Sequence, residues 1–269
     1  VYDDFVSDHE PLREALCALG NGYFVTRGAA EESNAGGCHY PGTYLAGGYN
    51  RAKSEVSGRI IENEDLVNWP NWLSLTFRQE GGDWFTLDEV EILGYRQELD
   101  LHQGLLSRDI EFRDGEGRET HLVTRRFVDM NNPHFAGIEW TLTPLNWSGK
   151  IQVRSALDGT VINDGVPRYR ALTGAHLQPL EIGAFDEESI YLRVQTNQSK
   201  IRMVQGARTR AFDAAGRSIE LDRQFFKKPG YVAHLFEVEC KERESVRLEK
   251  IVSVFTSRDR AITEPVLEA

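Results

Sequence analysis

No apolar run in this sequence approaches the roughly 20 residues that a membrane-spanning helix requires, so no transmembrane segment is expected. The opening Val1-Tyr2-Asp3-Asp4 has neither the basic nor the apolar region of a secretory signal, and a cytoplasmic location is the expectation. Cysteine is scarce: Cys17, Cys38 and Cys240 are odd in number, lie far apart and form no CxxC pair. That argues against a thiolate cage for zinc and against a disulfide framework, so all three are read as reduced, buried small hydrophobes. The sequons Asn146-Trp147-Ser148 and Asn197-Gln198-Ser199 are then chance matches. The histidines form no HxH, HxxxH or HExxH, and no metal ligands are expected. Basic charge is in deficit, with 31 Lys+Arg against 42 Asp+Glu, a formal −11. An acidic chain repels phosphate backbones and anionic lipid, which argues against nucleic acid and membrane as partners. Acidic runs such as residues 62–65 are read as solvated loop.

Catalytic and cofactor motifs are missing too. Gly20-Asn21-Gly22 followed by Arg27-Gly28 fits neither GxGxxG nor GxxxxGK[ST], and a β-like stretch follows where a phosphate loop needs a helix. These glycines are read as permitting a tight turn and a close backbone approach. There is no Gly-x-Ser-x-Gly elbow, and no carboxylate stands in an aromatic pocket that sequence can identify as raising its pKa for acid catalysis. No catalytic residue and no cofactor are expected in this chain.

What the sequence does have is strand after strand from Leu73 onward. Apolar and polar residues alternate through residues 73–77, at Ile110 and Phe112, and from Ala136 to Leu142; so do Ile151 and Val153, Ile190 to Val194, Val232 to Val238, and Val246 to Val254. Asp114-Gly115-Glu116-Gly117 supplies a hairpin turn into residues 121–128. One short helix is expected over residues 11–18, with Pro11 early, Asp8 as cap and Gly20 as stop. More than a dozen strands without interleaved helices or a fixed repeat give an all-β fold: a large two-sheet antiparallel β-sandwich with at most one or two short helices. Its 269 residues form a single domain, with loops and first strands in 1–72, the main sandwich in 73–257 and an exit segment in 258–269.

Residues 1–72 are rich in Gly, Asn and aromatics, the texture of long functional loops. In Asn68-Trp69-Pro70-Asn71-Trp72, two indoles bracketed by amides can stack on pyranose faces, but packing beneath the first sheet or against a neighbouring domain is the favoured reading. Candidate carbohydrate- or domain-contacting residues are Asn21, Tyr23, Arg27, Tyr44, Arg51, Trp69, Asn71 and Trp72. His234 is read as a hydrogen-bonded core residue and His134 as a structural turn residue.

Residues 14–28 closely resemble the opening motif of glycoside hydrolase family 65, and residues 42–51 its next block. Leu66-Val67-Asn68-Trp69-Pro70-Asn71-Trp72 is similar to the family's LVNLPNW block, with Trp69 where Leu is usual. Residues 99–101, 104–108, 125–130 and 157–163 continue in the family's order. The resemblance implies the N-terminal domain of an enzyme whose catalytic part is an (α/α)6 barrel, with a sandwich of the super-sandwich, galactose mutarotase-like kind. It implies inversion at an α-glucosidic bond, in which a barrel glutamate protonates the leaving oxygen and inorganic phosphate, or water in a hydrolase, attacks the anomeric carbon. Both groups belong to the barrel, so the resemblance carries no catalytic residue onto this chain. What remains for this chain is support of its own C-terminal barrel, dimer contact and a loop near the α-glucoside pocket. Two alternatives stand beside that reading. One is a free-standing carbohydrate-binding module using Trp69 and Trp72. The other is a mutarotase-like enzyme, with His134 or His176 as acid and a glutamate as base on one concave sheet.

Overall fold

Strands with one apolar face need a second layer to bury it, and here that need produces stacked antiparallel sheets. The computed structural model describes residues 1–164 and 172–259, together with Val266 and Ala269. The largest sheet runs β12 (Leu177–Ala184), β13 (Ser189–Thr196), β14 (Arg202–Phe212), β18 (Val246–Thr256), β10 (Phe135–Pro144), β9 (Glu119–Val128), β8 (Leu105–Arg113), β7 (Glu91–Asp100); the short β15 (Ser218–Ile219) pairs with β14. A four-stranded sheet runs β16 (Arg223–Lys228), β17 (Tyr231–Cys240), β11 (Gly149–Asp158), β6 (Leu75–Gln79). The N-terminal region adds β1 (Leu19–Gly20), β2 (Phe24–Thr26) and β3 (Thr43–Leu45) as a three-stranded sheet, and β4 (Tyr49–Val56) with β5 (Arg59–Leu66) as a hairpin. Every one of these pairings is antiparallel. The all-β, two-layer architecture expected from alternation is what forms, and among the described residues no helix is long and apolar enough to cross a membrane.

The two main sheets meet through their alternating apolar positions. Phe77 on β6 meets Trp140 on β10 edge-on, with ring centroids 6.3 Å apart. Phe85 stacks between Phe77 and Phe112 at 5.0 and 4.7 Å. Leu192, Val194, Val232 and Phe236 are buried in the same continuous cluster, and each such side chain contributes about 1.5–3 kcal/mol by leaving water. Polar groups cross the seam as well. Ser155 Oγ on β11 lies 2.8 Å from Thr209 Oγ1 on β14. Lys250 on β18, fully buried, donates to the carbonyls of Ser74 (3.0 Å) and Ala156 (2.7 Å). Among the described residues no carboxylate pairs with it, and burial pushes its pKa down to about 7.

Several local expectations need correction. The helix α1 is Glu10–Leu16, with Pro11 in its first turn and Cys17 at its end. Asp8 lies in a preceding 3-10 turn (Ser7–His9) and makes no side-chain cap bond, while Gly20 belongs to β1. Pairing of Leu19 and Gly20 with Thr26 and Val25 draws the chain into a strand before a helix could reach Ala18. Residues 62–65 are not solvated loop but part of β5, with Asp65 only 3% exposed. The strand expected at residues 73–77 is displaced to Leu75–Gln79. Cys17 and Cys240 are buried free thiols as expected, but Cys38 is only half-buried. Apart from Arg258, Asp259, Val266 and Ala269, the expected exit segment lies outside the described residues.

The tight approach expected near Gly28 is real. Its N–H donates to the carbonyl of Glu14 at 2.7 Å, and a Cβ there would sit 2.6 Å from Cys17 Cβ and 2.9 Å from Cys17 O. Neither obstacle is a flexible side-chain end. Gly28→Ala is expected to lower stability by about 2–3 kcal/mol in urea unfolding, because overpacking against backbone cannot relax. A change within about 0.5 kcal/mol, the usual effect of a neutral surface substitution, would show that the approach is not constraining.

Candidate functional site

Among the described residues a large cleft of about 1040 Å³ lies between the 34–41 loop and residues 158–164. Three of the eight residues singled out in the sequence, Arg27, Tyr44 and Asn71, line it. Asparagine side chains knit its floor. Asn68 Oδ1 accepts from the Thr43 N–H (3.0 Å), and Asn163 Oδ1 accepts from the Asn68 N–H (2.8 Å). Asn71 Oδ1 accepts from the Leu73 N–H (2.9 Å), while the Asn71 and Asp158 backbones exchange hydrogen bonds at 2.7 and 3.0 Å. Short amides suit this role, because they satisfy backbone groups that no sheet ladder reaches. Arg27 is tied to the walls, donating to the carbonyls of Tyr40 and Pro11, both at 2.9 Å.

The other five lie elsewhere. Trp69 and Trp72 are 0% exposed and leave no indole face free for stacking; both belong to the core cluster. Gly48 makes room for Trp69, since a Cβ there would fall 2.7 Å from its Nε1. Asn21 accepts from the Tyr23 N–H with its Oδ1 and donates to the carbonyls of Asp129 and Pro133. The Tyr23 hydroxyl donates to Asp259 Oδ2 at 2.7 Å, and burial pushes its pKa well above the usual phenol value. Arg51 is exposed on the β4–β5 hairpin and pairs with Glu64 at 3.0 Å.

The two histidines of the mutarotase-like alternative occupy separate surroundings. His134 stacks on Phe255 at 4.2 Å and donates through Nδ1 to the carbonyl of Val254. His176 is buried between Asn50, which donates to its Nδ1 at 3.0 Å, and Asp65, 3.6 Å from Nε2. Neither meets a glutamate among the described contacts. His234 is buried as expected, and burial together with the nearby Arg223 charge lowers its pKa to about 4.

Sequence reasoning missed the most heavily charged part of the chain. Arg108 on β8 grips Glu32 with both ends of its guanidinium (2.8 and 2.7 Å) and reaches Glu31 at 2.6 Å. Arg126 on β9 donates to the carbonyl of Ala29 and lies 3.4 Å from Glu31 Oε1. All four side chains are at most 4% exposed. Burial drives the Glu31 pKa upward, but Arg108 and Arg126 outweigh it and hold the carboxyl below its usual range. The network forms one side of a smaller pocket of about 280 Å³, which Glu10, His39, Asp88 and Gln97 also line. Cys38, His39 and Asp88 present metal-type donor atoms within 4.8 Å of one another at its rim. Asp88 lies far from the other two in sequence, so spacing gave no sign of the group.

With this geometry in view, comparison with known proteins places the chain. The family model described as Glycosyl hydrolase family 65, N-terminal domain, matches residues 1–269. An uncharacterized glycosyl hydrolase of Mycobacterium tuberculosis is 42% identical over 269 residues, all of this chain and 20% of the relative. Kojibiose phosphorylase of Caldanaerobacter subterraneus is 32% identical over 91% of this chain and 31% of its own length. Trehalose 6-phosphate phosphorylase of Lactococcus lactis is 28% identical, covering 91% of this chain and 30% of its own length. A solved structure of a candidate kojibiose phosphorylase from the human microbiome superposes with a TM-score of 0.82 over 99% of this chain and 33% of that one; at 18% identity the likeness speaks to fold alone. The chain thus spans a fifth to a third of the relatives it matches. The chain belongs to glycosyl hydrolase family 65, as its N-terminal domain.

Proposed function

We propose that this chain is the non-catalytic N-terminal domain of an inverting α-glucoside phosphorylase or hydrolase of carbohydrate metabolism. In this reading it supports the parent's C-terminal barrel and contributes to a homodimer contact in the cytoplasm. The observation that carries the reading is the match of an N-terminal-domain family over residues 1–269, while this chain covers only 31% and 30% of the relatives named kojibiose and trehalose 6-phosphate phosphorylase. Protonation of the leaving oxygen and attack by inorganic phosphate, the co-substrate if the parent is a phosphorylase, are assigned to the barrel. The cleft that holds Arg27, Tyr44 and Asn71 is assigned to contact with that barrel or with an α-glucoside at its mouth.

The test is an assay of the 269-residue chain with kojibiose, trehalose, trehalose 6-phosphate and maltose, with and without phosphate. No turnover is expected, and activity should appear only when the barrel is present. Turnover by this chain alone overturns the reading. A free-standing carbohydrate-binding module is the second reading, favoured by the size of the cleft and by Tyr44 on its wall. Calorimetric titration with glucosides separates the two: saturable millimolar binding by the chain alone supports the module, and a flat titration removes it.

A further inference from the structure

Where the small pocket adjoins the large cleft at His39, three separate chain segments meet. Cys38 and His39 come from the 34–40 loop, Asp88 from the 3-10 turn Leu87–Glu89, and Ser7 from the turn before α1. His39 Nδ1 lies 3.0 Å from Glu14 Oε1, and the Glu14 side chain is 0% exposed. Glu14 Oε2 already accepts from the Tyr40 N–H (3.0 Å) and from Arg27 (3.3 Å). His39 Nε2 faces Asp88 Oδ2, 3.5 Å away.

We propose that Cys38 Sγ, His39 Nε2 and Asp88 bind a thiophilic divalent cation of the zinc class. Donors at about 2.0–2.3 Å from a tetrahedral ion stand roughly 3.3–3.8 Å apart; His39 Nε2 and Asp88 Oδ2 at 3.5 Å match that spacing, and Cys38, His39 and Asp88 each offer a donor atom within 4.8 Å of the others. The buried Glu14 supplies the carboxylate that orients a metal-binding histidine from its far nitrogen. Ser7 Oγ, 3.0 Å from Cys38 Sγ and donating to Asp88 Oδ1 at 3.4 Å, braces the other two ligands. The pocket behind is oxygen-rich: among the described residues Gln97 Oε1, buried on its wall, accepts no hydrogen bond, and Glu10 Oε1 beside it is held by an ion pair to Arg13 at 3.5 Å. A cation displaces the Cys38 proton and leaves a fourth position open to water. It ties the 34–40 loop to the Leu87–Glu89 turn, and so sets the rim of the large cleft.

The experiment uses the whole 269-residue chain, stripped of metal with a chelator and titrated with Co²⁺, then with Zn²⁺ in competition. A one-to-one complex at micromolar Co²⁺ with a thiolate-to-cobalt charge-transfer band is expected, displaced by Zn²⁺ and unaffected by excess Mg²⁺. Cys38→Ser should remove the band while Cys17 and Cys240 remain, and Asp88→Asn should weaken binding at least tenfold, with circular dichroism confirming that both variants fold. Absence of the band overturns the proposal, and so does its persistence in Cys38→Ser. Binding only at millimolar metal also overturns it, and leaves a protonated His39 between its two carboxylates.

Discussion

Arg108→Met is expected to cost about 3–5 kcal/mol of folding stability, the loss that follows when one partner of a buried ion network is removed and the other charges stay behind. Glu31 and Glu32 would remain almost fully buried, having lost three hydrogen bonds at 2.6–2.8 Å. Arg126 alone would face Glu31, at 3.4 Å. Urea unfolding followed by tryptophan fluorescence measures the effect. Combining Arg108→Met with Glu32→Gln should return part of the loss, because the double change no longer strands that charge. The acid limb adds a second check. With its folded pKa held below the ordinary 4.5, Glu31 contributes stability above that value and loses it as pH falls through the lowered folded pKa. A loss below about 1 kcal/mol in Arg108→Met, the range of an exposed pair, would mean the network is solvated.

Lys250→Met has the opposite sign. Lys250 has an ordinary pKa of 10.5 that burial lowers to about 7, so the unfolded chain binds its proton more tightly than the folded one. Stability from this group is fully present above about pH 10.5, falls as pH drops toward 7, and levels off below that. Integrated over the window the difference is roughly 4–5 kcal/mol, an upper figure for a group that can draw in water when charged. The methionine variant is expected to be more stable than the parent at pH 7 and to lose the alkaline rise, since Met fills the space without the desolvation cost. Ser74 O keeps the N–H of Ala156 at 2.9 Å, which limits what the exchange strands. Chemical denaturation at several pH values between 6 and 10 checks both statements. A variant that retains the slope of the parent would trace it to other groups.

Legibility in the sequence followed burial on one face. β8, β9, β10, β13, β17 and β18 alternate apolar and polar residues, and all were visible as strands. β4 was not, because its buried positions are Asn50, Ala52 and Ser54, which carry no hydrophobic signal. β14 hides its period behind Gln205 and Gly206, with Gln205 buried and donating to the carbonyl of Pro70. β7 and β16 lie at sheet edges, β16 largely exposed and β7 mostly half-buried without a clear alternation. At the site, Arg27, Tyr44 and Asn71 were visible as loop residues of unusual texture. Trp69 and Trp72 stay candidates in the sequence although packing is the favoured reading, since an indole beside Pro70 and two amides gives no sign of whether folding will cover it. Glu31, Glu32, Arg108 and Arg126 could not be matched to one another, because nothing local in a sequence marks a pair joined only by sheet packing.

One topological detail governs how the chain can be made. Of the strands described, β18 comes last in the sequence, yet it lies at the centre of the nine-stranded sheet between β14 and β10. Until residues 246–256 leave the ribosome, the halves on either side of it share no border, and each offers an unpaired inner edge to any passing strand. Closure of the large sheet therefore waits on residues 246–256, and a chain halted before them would hold two half-sheets with open edges.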